Sequence, residues 1–245
     1  MKKDVDFIIE AGGRGNIDMI RSTDNKVFAE NLSSDNNYAE LVETLKAFSR
    51  GTYMKNLELT DPRYNVVFEF IPVRYEVLAD DSYKVTDTLK IEDISDNGRM
   101  FFKESDQIAI LIKASHIGTN DAYFSVIDIQ PDGGINGILP AEDPTLKQNP
   151  EDFRIKAGQS FIVPGSFVTF QAPYGMEVFK LFASKEPIDF TPILTKKPRM
   201  RDIEYQLETL FREGYSQANR GGITQKVRSS GMEASTSYIG FEIRR

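Results

Sequence analysis

Sulfur and imidazole chemistry is nearly absent from this chain, because its 245 residues include no cysteine and one histidine, His116. Thiolate nucleophiles, cysteine-ligated zinc, iron–sulfur clusters and disulfides all require the missing thiol. A single imidazole also excludes sites that need two, including the two-histidine zinc centre of metalloproteases. Tryptophan, the ring that carbohydrate-binding surfaces usually favour, is absent as well. These absences favour a non-catalytic protein.

Long apolar runs and an excess of positive charge are also missing. No run of about 18 apolar residues occurs, so no membrane span is predicted, and the first residues lack the apolar segment of a signal peptide. A net charge of −7 argues against nucleic-acid binding, which needs a basic surface. We therefore expect a soluble protein, with its compartment and any upstream extension left open. One local basic cluster is an exception, and we interpret it as a solvated linker rather than an anion site: Lys196, Lys197, Arg199 and Arg201.

Two segments have the apolar periodicity of amphipathic helices. The first covers about residues 37–50, begins with the capping-box spacing of Asn37 and Glu40, and is expected to end before Gly51. Its apolar positions predict a core-facing stripe: Tyr38, Leu41, Val42, Leu45 and Phe48. The second helix is predicted to end at Gly214 and uses four apolar positions: Ile203, Leu207, Leu210 and Phe211.

Most of the remaining chain reads as short strands at a spacing of about 8–12 residues, with turn residues between them. Val66–Ile71 and Val73–Leu78 are predicted as separate strands on either side of a proline, and the alternation of Ile239, Phe241 and Ile243 predicts a closing strand. The fold class is thus mainly β (α+β overall), an antiparallel β-sandwich with two packed amphipathic helices. Three regions are predicted: an N-terminal α/β region (1–99), a β-sandwich domain (100–198), and a C-terminal helix and strand that pack back on the core (199–245).

Motifs that suggest catalysis or phosphate binding all fail on spacing. The glycines of Gly12–Gly15 match neither phosphate-loop pattern and predict a hairpin turn. Gly158–Ser160 lacks the second glycine of a G-x-S-x-G nucleophile elbow. Ser115 and His116 are adjacent, and a strand points adjacent side chains to opposite faces. Their pairing as nucleophile and base is therefore disfavoured.

A calcium-loop reading of Asp128–Gly133 is also disfavoured. Pro131 lies inside the segment, and Leu139 stands where an EF-hand loop has its bidentate glutamate. A β-hairpin is the better interpretation. The sequence therefore identifies no catalytic, cofactor-binding or metal-ligating residue and predicts no cofactor. It leaves any ligand-binding residues unknown.

Three segments carry a family resemblance. Tyr123–Gly133, Ile155–Ser160 and Pro173–Ile188 occur in the expected order, and the last is similar to a P-x-G-x-E-x-F-K signature. Together they resemble a family of unknown function found behind bacterial caspase-like peptidase domains. The resemblance implies such a peptidase upstream, with this chain as its C-terminal region. A caspase site needs a cysteine nucleophile, so this chain cannot carry that activity.

The function predicted at this stage is a non-catalytic accessory or binding module. Its expected partner is the caspase-like peptidase domain of the same protein or another protein, with no nucleic acid and no membrane span, and with the oligomeric state left open. Binding would need an exposed apolar patch or a sheet edge, for which Val73–Leu78 is one candidate. Two alternatives remain: a carboxylate-dependent hydrolase acting on glycans, which needs two facing acids in a deep pocket, and a purely structural spacer.

Overall fold

The structure, a computed structural model, describes residues 6–22, 25, 27–190, 193–194, 227–229 and 232–245. Its described part is mainly β. At the N-terminus three antiparallel strands form a small sheet in the order β1-β2-β3: β1 (Phe7–Ala11), β2 (Ile17–Arg21) and β3 (Val27–Leu32). The glycine-rich segment forms the turn between β1 and β2, which confirms the predicted hairpin.

Helix α1 (Asp35–Asn56) is longer than predicted at both ends. The expected stop, Gly51, lies inside the helix and marks a close contact instead. A Cβ atom built on Gly51 would lie 2.8 Å from the Cα of Gly133, and one built on Gly133 would lie 2.5 Å from the backbone of Ala47. The helix therefore packs directly on the turn that contains Gly133, and glycine at both positions permits that approach.

The prediction that the apolar stripe of α1 faces the core is wrong for its first half. Tyr38, Val42 and Leu45 are 51%, 41% and 39% exposed. The last two turns are buried instead, at Tyr53 and Met54, because only that end of the helix lies over the larger sheet.

The larger sheet has seven strands in the order β11-β10-β15-β17-β8-β7, with β12 also pairing with β10. Most pairs are antiparallel, but β17 pairs with β8 in parallel. The closing strand predicted from residue 239 lies within β17, between two other strands. The members are β7 (Ser95–Asp96), β8 (Arg99–Lys103), β10 (Ala122–Ile129), β11 (Ile135–Leu139), β12 (Arg154–Ile155), β15 (Gly175–Ser184) and β17 (Ala234–Arg244).

The second sheet has five strands in the order β13-β9-β5-β6, with β14 also pairing with β9. Its members are β5 (Val66–Val77), β6 (Tyr83–Thr88), β9 (Ile108–His116), β13 (Ser160–Ile162) and β14 (Val168–Thr169). A further parallel pair joins β4 (Leu57–Leu59) to β16 (Val227–Ser229).

Strand β5 runs without a break through Pro72, where the sequence predicts two strands. The carbonyl of Pro72 accepts the N–H of Leu89, which lies just beyond the end of β6. In an extended strand the nitrogen and carbonyl of one residue point to the same side. The proline nitrogen therefore faces the side where pairing with β6 has ended, so the ladder to β9 loses no hydrogen bond.

The two large sheets share one apolar cluster, an arrangement consistent with the predicted sandwich. Phe241 on β17 contacts the ring of Phe70 on β5, and both rings also contact Phe179 on β15. A second cluster lies on the opposite face of the larger sheet, beneath the end of α1. The sandwich core is thus built from segments that lie far apart in sequence.

Several predictions concern residues outside the described part of the chain: the helix of Ile203, Leu207, Leu210 and Phe211, and the basic cluster Lys196, Lys197, Arg199 and Arg201. The three predicted regions also stay predictions. Strand β5, which precedes residue 100, pairs along most of its length with β9, which follows it.

Candidate functional site

Two acids are buried side by side in the larger sheet. Asp128 on β10 is 5% exposed and Glu177 on β15 is 3% exposed. Asp128 lies opposite Phe179 in the strand register, which makes Glu177 its diagonal neighbour on the same face. That face carries Val126 and Leu181, which belong to the core between the sheets. Both acids therefore occupy apolar core positions.

The surroundings of these acids favour protonation. Burial is the main cause that raises the pKa of Asp128 to about 7 and that of Glu177 to about 9, and the Asp128 carboxylate raises the pKa of Glu177 further. Asn136 and Gln130 offset part of this effect by hydrogen bonding to Asp128. Asp128 Oδ1 and Glu177 Oε1 lack a partner among ordinary donors. The hydrogen bond between the two side chains needs a proton on one of them, and Glu177, with the higher pKa, is the acid that keeps it.

Two features limit the chemistry available to this acid pair: the acids contact each other, and substrate has no described route to them. The two carboxyls hydrogen bond to each other, whereas retaining and inverting glycosidases hold their acids roughly 5 Å and roughly 6.5–9.5 Å apart with room for substrate or water. Two described clefts, of about 580 and 490 Å³, are lined by neighbouring residues but by neither acid. The pair resembles a proton-sharing dyad enclosed in the core.

Lys180 is a buried cation on β15, the strand of Glu177, but it lies on the opposite face of the larger sheet. Lys180 is 1% exposed, and its Nζ donates to the carbonyls of Met54, Lys55 and Leu57 at the C-terminal end of α1. These carbonyls have no partner within the helix, so the ammonium satisfies them and complements the negative end of the helix dipole. Lys180 thus anchors α1 to the sheet.

The single histidine is held by backbone groups at the end of β9. The N–H of Gly118 donates to Nδ1 of His116 at 2.9 Å, which leaves Nε2–H to donate to the carbonyl of Asn120 at 2.6 Å. Ser115 points the other way and contacts Ser160 Oγ at 2.7 Å. The structure therefore separates Ser115 from His116, and both imidazole nitrogens already have partners.

One edge of the five-stranded sheet is β6 and the other is formed by β13 and β14, so the candidate edge Val73–Leu78 is misplaced. Residues Val73–Val77 pair with β6 on one side, and residues of β5 up to Arg74 pair with β9 on the other. All six residues of β6 are exposed. Over the described part of the chain, no strand pairs with the outer side of β6. Its outward backbone groups are available to another strand.

An apolar surface accompanies this edge, here called the hairpin face: Tyr75, Val77, Tyr83, Val85 and Phe167. The register pairs Val77 with Tyr83 and Tyr75 with Val85, which places these four side chains on one face of the β5–β6 hairpin. Tyr83 stacks on Phe167 at 5.0 Å and is still 53% exposed. Val77 and Val85 are 51% and 43% exposed. Adjacent exposed apolar side chains of this kind are typical of interaction surfaces.

The remaining site hypotheses agree with simple structural roles. The calcium-like segment ends in the β10–β11 hairpin, where Gln130 N–H donates to the carbonyl of Gly134. Within the described ranges, no group of three or more acidic or histidine side chains is arranged to hold a metal ion. None of the helices in those ranges has the length and apolar character needed to cross a bilayer.

Sequence reasoning missed both the acid pair and the hairpin face. The acids do leave a signal, because Asp128 and Glu177 each lie two residues from an apolar residue on the same face, Val126 and Phe179. Comparisons with protein-family models, curated proteins and solved structures produced no match.

Proposed function

We propose that this chain is a non-catalytic accessory module that binds an extended segment of a protein partner along β6. The supporting observation is the hairpin face, an exposed apolar surface directly beside an unpaired strand edge. An added strand would bond to the outward backbone groups of β6, and its alternate side chains would cover Tyr83 and Val85. The family resemblance suggests the partner, a caspase-like peptidase domain of the same protein.

The test combines gene context with a binding measurement. We expect the coding sequence upstream to encode a caspase-like domain, and we expect the purified domain to bind this chain in calorimetry. The double variant Tyr83→Lys, Val85→Lys should weaken that binding about tenfold or more, because it places two charges against the added strand. The control is Tyr238→Lys, Val42→Lys, which alters similarly exposed residues elsewhere, 64% and 41% exposed.

The accessory role would be contradicted if both double variants weakened binding equally. It would also be contradicted if the upstream sequence encoded no peptidase. Thermal unfolding of each variant separates lost binding from lost folding. If the purified peptidase domain does not bind this chain, and its activity is the same with and without this chain, the spacer alternative is favoured.

A second candidate, a carboxylate-dependent hydrolase, has one observation in its favour: the pair Asp128 and Glu177, with both pKa values raised. Their enclosure and mutual contact count against it. Turnover of glycan or peptide substrates by the purified chain, abolished by Asp128→Asn and kept in Asp121→Asn, would support the hydrolase over the binding module.

A further inference from the structure

A cleft of about 490 Å³ lies between the small N-terminal sheet, α1 and one end of the larger sheet, and is here called the basic cleft. Three separate elements contribute a cation to its lining: Arg21 from β2, Lys55 from α1 and Arg99 from β8. It shares no lining residue with the hairpin face, so it is independent of the function proposed above.

The charge of the basic cleft contrasts with that of the protein. The chain carries a net charge of −7, whereas the described residues lining this cleft include three cations and one acid. That acid, Glu242, is paired with Arg244 at 2.8 Å, so its charge is largely offset. Cations gathered in a concave site between low-dielectric walls attract anions more strongly than dispersed cations do.

The end of α1 does not cancel this attraction. The C-terminal carbonyls of a helix normally repel an anion placed near them. Here Lys180 donates to the carbonyls of Met54, Lys55 and Leu57. A buried ammonium group thus neutralises the negative end of the helix beside the cleft.

The shape and apolar lining of the cleft define the rest of the ligand. Its volume lies within the range of about 300–1,000 Å³ typical of small-molecule sites. Phe48, Thr52 and Lys55 lie on one helical face at the cleft, and Gly51 between them adds no side chain. Tyr174 and Met176 also line the cleft and supply exposed apolar surface.

From this combination we infer that the basic cleft binds a small organic anion. Its phosphate or carboxylate group would lie against Lys55 and Arg99, on the same lining as Arg21, and its apolar or aromatic body would lie against Phe48, Tyr174 and Met176. Phosphate and carboxylate are the groups that guanidinium recognises best through paired hydrogen bonds.

The experiment titrates the ¹⁵N-labelled chain at constant ionic strength with phenyl phosphate, phenylacetate and inorganic phosphate. We expect saturable shifts of the amides of Thr52, Lys55 and Arg99, and tighter binding of the aromatic anions than of inorganic phosphate. Comparing the two aromatic probes decides between phosphate and carboxylate. The variant Lys55→Gln, Arg99→Gln should weaken binding about tenfold or more.

The matched control is Arg154→Gln, Lys156→Gln, which removes two cations at the opposite end of β10 and should leave the affinity unchanged. Lys55→Gln is a second variant, at an exposed side chain where loss of folding is not expected. Shifts that fail to saturate, that occur elsewhere on the chain, or that persist equally in both cleft variants would overturn the proposal.

Discussion

Buried ionisable side chains in this protein either stabilise the fold or destabilise it, depending on whether their charge has a partner. Lys180 and the acids Asp128 and Glu177 lie on neighbouring strands of one sheet, yet they face opposite sides and meet opposite conditions. Lys180 finds three carbonyls, so its charge has partners. The two acids share one buried site that holds no cation partner for them among the described residues, so at least one must keep its proton.

At the residue scale, Glu177→Gln should make the protein more stable at alkaline pH. Because the pKa of Asp128 is raised to about 7 and that of Glu177 to about 9, the folded chain holds protons that the unfolded chain releases above about pH 4. Stability from this pair is therefore complete at low pH and is lost as pH rises towards 9. The glutamine side chain does not titrate, but its amide N–H can still donate a hydrogen bond to Asp128.

We expect a gain of at least about 1 kcal/mol in the free energy of unfolding at pH 8.5, measured by urea denaturation, and a smaller gain at pH 5. Glu92→Gln alters an exposed acid and should leave the pH profile unchanged. An identical pH slope in Glu177→Gln and the wild type would show that the pair does not share a proton.

At the scale of elements, contact between α1 and the β10–β11 turn decides which part of the helix is buried. Its apolar periodicity predicts a helix, and a helix is present. That periodicity also predicts a buried stripe, but Tyr38, Val42 and Leu45 are exposed. Burial is concentrated near Gly51, where the backbone of α1 meets Gly133. The pattern defines a face, whereas the partner element defines which part of that face is covered.

The prediction at this scale is that Gly133→Ala destabilises the protein far more than Gly98→Ala. Both glycines have positive φ, +88° and +77°, so both substitutions carry a similar backbone penalty of about 1 kcal/mol. A Cβ on Gly133 would also lie 2.5 Å from the backbone of Ala47 and Phe48, whereas Gly98 has nothing within 4 Å. We expect an additional loss of about 2 kcal/mol for Gly133→Ala in denaturant unfolding. Equal losses would mean that the helix can move away at little cost.

For the whole molecule, the last strand completes the contact between the two large sheets. Strand β17 lies between β15 and β8, and it follows β15 in the chain by about fifty residues. Phe241 on this strand contacts four aromatic rings from both sheets and the intervening loops: Phe70, Phe102, Phe170 and Phe179. The sandwich core therefore depends on its C-terminal segment.

At this scale, Phe241→Ala should cost about 3–5 kcal/mol of unfolding free energy, because it leaves a cavity where both sheets meet. Tyr238→Ala on the same strand removes a ring that is 64% exposed and should cost about 0.5 kcal/mol or less. Similar losses for the two variants would show that strand pairing, rather than the shared core, holds β17 in place.

The amino-acid sequence by itself determined the local features of this protein: the mainly β character, the hairpins at Gly12–Gly15 and Asp128–Gly133, the strand at Ile239–Ile243, and the exclusion of thiol chemistry. These follow from side-chain periodicity and turn preferences, which act over a few residues. Only the tertiary structure decided that β6 rather than β5 forms an edge of its sheet, that Asp128 meets Glu177, and that three cations line one cleft. Each of these depends on which strands pair and in what register, and such contacts join residues that are distant along the chain.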